Sequence, residues 1–517
     1  MGYNVGVPAV PRCGFFSLLH PVCRRGVFFG DVFQLSLPKH LQLFYFLGLA
    51  LSIALLTGCF SERSFTYEPE DVVYVDYPAS DPPRSTREWT RRTHGELEYL
   101  LPYKDRKIGP LTTEELTDAS GKPIDVFAHF RKYKSMLHTF FGNITGISHT
   151  AQVTGSSHCC VDPAPPWDGF EDIWVPVDDK IKLSGRIGWA TRNGERLDTD
   201  CIVLLPGLLG DNMRTRAKDI GHLLLKSGFH VLSLEFRSHG QTFARYPENS
   251  YSFGVLDAGD LLEVSDWLQG QPQVRETGII AFSWNANVSL LAAWENARAE
   301  DHPSVAPRLK PHLRKRDGKI RYKAGMLCIS PVLDFERVVE ALDRPWSMWE
   351  NPVLNAVQGT IGWRSKLRGY DDVNGRLSRL IERELEDAEI NYPGAFPDGY
   401  DYLRFLSYNG KVSGHKLEDA KVPVLILHAA DDPLAYAQEV ADFFGETKNP
   451  NVAGVILKGG GHDGFAAYCK EYFYSLMINF FDRETGARQA TPKTMVAEKP
   501  ELLAAPVLTE IPPRALR

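Results

Sequence analysis

The sequence predicts an α/β fold: a mostly parallel, eight-stranded, doubly wound sheet with helices on both faces and a helical insertion before its last two strands. Two observations predict the sheet. Short apolar runs alternate along the chain with helical patterns, as in a sheet built from crossover units. The inner runs are near-continuous Val, Ile and Leu, which suits parallel strands covered on both faces. A third observation predicts the insertion, because residues 331–420 are helix-rich and too long for a plain crossover.

At 517 residues the chain exceeds one typical domain, so tails or a second module are expected. The first element is an uncharged apolar run, Leu41 to Gly58, preceded by Arg12, Arg24, Arg25 and Lys39. It has the layout of a signal segment with a cationic flank. Its exit, Leu56-Thr57-Gly58-Cys59, resembles a bacterial lipobox, which would make Cys59 the lipidated mature N-terminus. The other readings are an uncleaved transmembrane anchor and a buried helix. The first two both place the rest of the chain outside the cytoplasm, because cationic flanks stay inside. Phe60 in place of Asp favours an outer-membrane or periplasmic address.

Residues 59–125 are polar and proline-punctuated and read as a tether with short helical pieces. A domain over 126–485 follows, with residues 142–167 as an irregular lead-in and 331–420 as a cap. The strands expected are Asp172–Val175, Ile181–Ile187, Cys201–Leu205, His230–Leu234, Gly278–Phe282, Gly325–Ser330, Pro423–His428 and Gly454–Leu457, the early ones antiparallel. Helices are expected at Met213–Ser227, Val255–Gln269, Ala286–Ala299, Ala435–Phe444 and Phe465–Phe481. The cap carries Trp346, Trp349 and Trp363 and would shape a substrate pocket. Residues 486–517, rich in proline, read as a flexible tail.

A net charge of -7 gives no support to nucleic-acid binding, which favours basic domains. The eight cysteines form no metal signature, and no metal or organic cofactor is implied. Cys201 and Cys328 lie in apolar strands and read as small buried hydrophobes.

The chemistry lies at the ends of strands. Ser283 follows the apolar run Ile279-Ile280-Ala281-Phe282 and opens a helix. Asp432 lies in His428-Ala429-Ala430-Asp431-Asp432-Pro433, and His462 in Gly460-Gly461-His462-Asp463-Gly464-Phe465. Nucleophile, acid and base in the order Ser, Asp, His is the order of an α/β-hydrolase fold. In that arrangement His462 takes the Ser283 proton and Asp432 orients the imidazole. Asp431 is a weaker candidate acid, while His428 and His239 are rival bases that do not follow the final strand. An oxyanion hole is expected from the N–H of Trp284 and that of Leu208, in Pro206-Gly207-Leu208-Leu209-Gly210.

Together, Leu204-Leu205-Pro206-Gly207-Leu208, Phe282-Ser283-x-x-x-Asn287, Asp431-Asp432-Pro433 and Gly460-Gly461-His462-x-Gly464-Phe465 resemble the YheT-like branch of the α/β-hydrolases. Ser135-Met136-Leu137-His138-Thr139 loosely resembles an N-terminal segment of that branch. The resemblance implies a serine carboxylesterase, lipase or acyltransferase acting on fatty-acyl or lipid esters. The elbow departs from the branch pattern, with Ala281, Asn285 and Ala286 where glycines are expected and Trp284 in place of Leu. Asn285 predicts crowding or a shifted turn, and Trp284 either a narrowed pocket or an aromatic wall for the acyl chain. A degenerate elbow would leave a non-catalytic envelope lipoprotein that binds a lipid or partner. The basic stretch Arg308, Lys310, His312, Arg314, Lys315, Arg316, Lys319, Arg321 and Lys323 reads as a solvated loop or a contact for anionic headgroups.

Overall fold

The computed structural model describes residues 62–102, 111–112, 120, 122, 144–154, 164–297, 318–347, 351–388, 396, 399–408 and 416–485. The expected leader with Cys59, residues 135–139, Trp349, the basic residues from Arg308 to Arg316 and the C-terminal tail lie outside these. No helix among the described residues is long and apolar enough to cross a membrane.

All eight expected strands form: β2 (Phe170–Pro176), β3 (Lys182–Gly188), β6 (Thr199–Leu205), β7 (His230–Glu235), β8 (Val274–Phe282), β9 (Gly325–Ile329), β10 (Val424–Ala429) and β11 (Val452–Leu457). A two-residue strand, β1 (Leu111–Thr112), extends this sheet at one edge, and β4 (Thr191–Arg192) pairs with β5 (Glu195–Arg196) in a separate hairpin. The order is β1-β11-β10-β9-β8-β6-β7-β3-β2. Strands β6 to β11 of this sheet pair in parallel, while β3 is antiparallel to both β2 and β7. From β6 the chain winds outward to β7, then returns to place β8 on the other side of β6. That reversal opens a crevice at the carboxyl ends of β6 and β8, where open α/β sheets bind ligands.

The period-2 alternation of the strands explains the two cores. In β6, Cys201, Val203 and Leu205 face one cluster while Ile202 and Leu204 face the other. Strand β8 divides likewise, Ile279 and Ala281 against Ile280 and Phe282. One face is covered by α5 (Val255–Gln269), α6 (Trp284–Asn296) and α11 (Ala437–Glu446). The other is covered by α3 (Thr215–Lys226) and α12 (Phe465–Thr485). Cys201 and Cys328 are fully buried, and burial raises both thiols.

Residues 62–102, expected as a tether, instead lie on the domain. Helix α1 (Thr86–Leu97) starts at Ser85, whose hydroxyl accepts the Glu88 N–H at 3.1 Å. Its Trp89 and Leu97 are buried against α12, with Trp89 edge-on to Phe480 at 5.6 Å. Upstream, Ser475 and Asn479 of α12 accept the N–H groups of Val73 and Val75. Its apolar residues cluster, as in Val72-Val73-Tyr74-Val75, between polar and proline-bearing stretches and do not recur at a helical period, which is why its sequence reads as linker.

A second helix, α2 (Ile144–Thr154), occupies the expected irregular lead-in. The insertion forms α7 (Phe335–Asp343), α8 (Pro352–Arg368), α9 (Leu377–Asp387) and α10 (Gly399–Leu406). They share the core of the α5/α6 face. Inside it Arg364 of α8 meets Glu384 of α9 at 2.9 Å, both nearly inaccessible. Asn351 caps α8 by accepting the N–H of Val353 and Leu354, and its amide donates to Pro433 O at 3.2 Å. The insertion thus touches the loop that follows β10. The remaining α4 (Gly240–Arg245) is short. Of the basic stretch, Lys319 and Arg321 bind Asp266 and Lys323 binds Glu276.

Candidate active site

Four loops at the carboxyl edge of the sheet build the site. Strand β8 ends at Phe282 and α6 begins at Trp284, leaving one residue to reverse the chain. That residue, Ser283, takes φ 55 and ψ −128, a conformation costly for any side chain. Its N–H is held by Ile329 O of β9 at 2.8 Å, so the sheet ladder keeps the strained turn in place. The acid loop follows β10 and the histidine loop follows the neighbouring β11.

These loops bring the three side chains together. Ser283 Oγ lies 2.7 Å from His462 Nε2, and His462 Nδ1 lies 2.8 Å from Asp432 Oδ2. A carboxylate can only accept, so Nδ1 carries the proton toward Asp432 and Nε2 accepts from the serine hydroxyl. The other Asp432 oxygen accepts the N–H of Leu434 and of Ala435 at 2.8 and 2.9 Å. Burial lowers the basicity of His462, but the Asp432 carboxylate, with Asp463 behind it, outweighs burial and raises the imidazole to about 9. Burial would raise Asp432; the His462 charge and hydrogen bond outweigh that and hold it below the ordinary carboxylate value. Ser283 and His462 are 8% and 6% exposed, so bulk water is largely excluded from the site.

The rival candidates separate by contact. Asp431 turns away: its Oδ1 accepts the Gly461 N–H at 2.8 Å, and burial pushes its carboxyl up to about 7. His428 Nε2 donates to Ala435 O at 3.2 Å and lies 3.7 Å from the same Asp432 Oδ2 that His462 contacts, with no hydrogen bond to Ser283 and with burial lowering its basicity. His239 supports the loop after β6. Its Nε2 accepts the Leu209 N–H at 3.0 Å while its Nδ1 donates to Arg237 O at 2.6 Å. Burial drives it down to about 3, which keeps it neutral in this role.

That loop holds the candidate oxyanion donors. Gly207 O accepts the Gly210 N–H at 2.9 Å, closing a tight turn in which Leu209 takes φ 54. Leu208 N–H has no hydrogen-bond partner among the described residues. Trp284 N–H belongs to the first turn of α6, where N–H groups have no partner within the helix. A Cβ on Gly207 would come within 3.4 Å of Ser283 Cβ, so the loop backbone runs directly beside the elbow.

A family model described as "Alpha/beta hydrolase family" matches residues 202–473, more than half of the chain. The chain belongs to the alpha/beta hydrolase family. No curated protein matches it. Among solved structures, this hydrolase is similar to an esterase of Pyrococcus furiosus, at 18% identity and TM-score 0.37 over 62% of this chain and 97% of that one. It is also similar to the acylaminoacyl peptidase of Pyrococcus horikoshii, at 15% identity and TM-score 0.38 over 62% and 42% of the two chains. A third likeness is to dipeptidyl peptidase 4 of Porphyromonas gingivalis, at 14% identity and TM-score 0.38 over 61% and 35%.

Two departures of the hydrolase's elbow resolve differently from expectation. Asn285 causes no displacement of the turn: α6 begins at Trp284, and the Asn285 side chain is fully buried and hydrogen-bonded at both ends. Trp284 is 2% exposed, its Nε1–H donating to Phe253 O at 2.9 Å and its ring edge-on to Phe253 and Phe335. It ties the elbow to the first helix of the insertion. Asn287, a residue of the motif with no assigned role, accepts the Val332 N–H at 2.8 Å and donates to Val332 O. It joins α6 to the chain leaving β9.

Residues of α2 were not expected here at all. Thr150 Oγ accepts the His462 N–H at 2.7 Å and donates to Gly146 O at 2.7 Å, while Thr145 Oγ reaches Asp431 at 3.4 Å. The glycines around His462 are the signal that could have revealed this contact. A Cβ on Gly461 would lie 2.1 Å from Gly146 O, and one on Gly464 would lie 2.5 Å from His149.

Proposed function

We propose that this hydrolase is a serine esterase that cleaves carboxylic esters through an acyl-enzyme on Ser283. The observation that carries the reading is the unbroken hydrogen-bond chain from Ser283 Oγ through His462 to Asp432, at 2.7 and 2.8 Å. Ser283 Oγ attacks the ester carbonyl carbon as its proton passes to His462 Nε2. The carbonyl oxygen gains the negative charge, and the N–H groups of Leu208 and Trp284 receive it. Asp432 stabilises the imidazolium. Collapse breaks the bond to the alcohol oxygen, which takes the proton from Nε2 and leaves. Water then repeats the sequence on the acyl carbon, releasing the acid and restoring Ser283.

The test is labelling with a fluorophosphonate probe and turnover of p-nitrophenyl esters of graded chain length. Wild-type protein is expected to label and turn over, and Ser283→Ala to do neither, with kcat down on the order of 10⁴-fold or more. A folded wild type that takes no Ser283-dependent adduct would instead be a binder. Fatty-acyl and lipid esters are the substrate class we favour, on the motif resemblance to the YheT-like branch. A membrane tether at Cys59, in the bacterial envelope, rests on the apolar run and its Leu56-Thr57-Gly58-Cys59 exit. Cys59→Ser is expected to release the protein in soluble form; retention in the membrane fraction would point to a spanning helix instead.

A further inference from the structure

We infer that Asn285, with Tyr251 behind it, is a positioning residue that sets the backbone of the oxyanion loop. The inference rests on the acyl-enzyme reading above and concerns the same site.

The Asn285 amide nitrogen donates to Pro206 O at 2.6 Å and also approaches Gly207 O at 3.4 Å. Its amide oxygen accepts the Tyr251 hydroxyl at 2.7 Å. The two loop carbonyls settle which end of the amide faces them, because they can only accept and so require the NH2 end, which leaves the amide oxygen for the Tyr251 hydroxyl. Tyr251 is itself fixed. It is fully buried, its N–H donates to Glu384 of α9 at 3.0 Å, and its ring packs against His239 and Phe253 at 4.7 and 4.6 Å.

The loop from Pro206 to Gly210 is thus gripped from two sides. Asn285 takes the carbonyls of Pro206 and Gly207, and His239 takes the N–H of Leu209. The peptide between these holds carries the Leu208 N–H, which is left without a partner beside Ser283. Donors aimed at a developing oxyanion act by being held before the reaction, so a residue that holds them contributes to rate more than to substrate binding. A glycine at position 285 could supply no such grip.

The experiment compares wild type with Asn285→Ala, Asn285→Asp and Tyr251→Phe. Four quantities are read: kcat, KM for a short p-nitrophenyl ester, inhibition by a trifluoromethyl ketone, and the melting temperature. The ketone adds Ser283 Oγ to its carbonyl and places an oxyanion in the same hole. Asn285→Ala is expected to lower kcat about 10- to 100-fold with KM within about threefold. The ketone inhibition constant should rise by the factor that kcat/KM falls. Asn285→Asp keeps the size but as a carboxylate cannot donate to the two carbonyls, so at a pH where it is ionised it should fall with Ala. Tyr251→Phe should lose a smaller factor, and almost none once Asn285 is already Ala. A purely structural role would lower the melting temperature without this parallel between rate and ketone affinity. Folded Asn285→Ala and Asn285→Asp with wild-type kcat and ketone affinity would overturn the inference, as would a change in KM alone. Should the Asn285 variants fail to fold, Tyr251→Phe decides, and an unchanged rate and ketone affinity there overturns it. A wild type with no Ser283-dependent turnover would remove the esterase reading itself, a different result from any of these.

Discussion

The imidazole of His462 lies between a carboxylate that raises its basicity and a hydroxyl that must give it a proton. Its pH behaviour follows with a definite sign. The base acts only as neutral imidazole, and Asp432 and Asp463 raise it to about 9 against the lowering effect of burial. Turnover should therefore increase with pH, with the acid limb of the kcat/KM profile lying above pH 7. Asp432→Asn removes the principal raising charge, so the limb should move down toward the ordinary histidine value near 6.5. The same change should cost on the order of 10⁴-fold in kcat through the wrong tautomer. A wild-type limb at pH 6 or below would contradict the coupling. At this scale the choice of Asp432 over Asp431 was legible, because the acid precedes the proline of its loop. Asn285 was misread: its type and spacing suggested a defect, and only its partners show a residue satisfied at both ends.

At the scale of elements, α2 packs directly on the histidine loop. Its backbone approaches so closely that side chains are excluded on both surfaces. A Cβ at Gly146 would lie 2.0 Å from Asp431 O, and the Gly461 position faces Gly146 O in turn. Thr150 then supplies the acceptor for the His462 N–H. Thr150→Val keeps the shape but leaves that buried donor unpaired, at a cost of about 1–3 kcal/mol. The expected outcome is a lower urea midpoint together with reduced kcat; unchanged values for both would mean that α2 is a passive neighbour. Strands and crossover helices were readable because burial on two faces imposes continuous apolar runs and a 3.6-residue period on what covers them. Helix α2 was not, since its Gly, Ser and Thr residues are selected for close approach and hydrogen bonding, and these mimic loop composition.

Across the whole molecule, two segments outside the alternating strands and helices clasp the hydrolase core from opposite sides. Residues 62–102 lie along α12 on one face. The insertion covers the other, joined to the elbow through Trp284 and Phe335 and to the acid loop through Asn351 and Pro433. The N-terminal segment is then part of the folded unit. Trp89→Ala, which empties a site 5% exposed against Phe480, should cost about 3–5 kcal/mol of unfolding free energy. A denaturation midpoint indistinguishable from wild type would return this segment to the status of a linker.

By itself the amino-acid order determined the eight main strands, their winding, and which serine, aspartate and histidine would meet. Those follow from local periodicity and from the rule that loops at one edge of a parallel sheet converge. What only the tertiary structure decided was who holds these residues: Thr150 on the His462 backbone, His239 on Leu209, Asn285 on Pro206 and Gly207. Each is a single hydrogen bond between residues far apart in the chain. Such a bond imposes no period on the sequence, and it exists only once packing has set the distance.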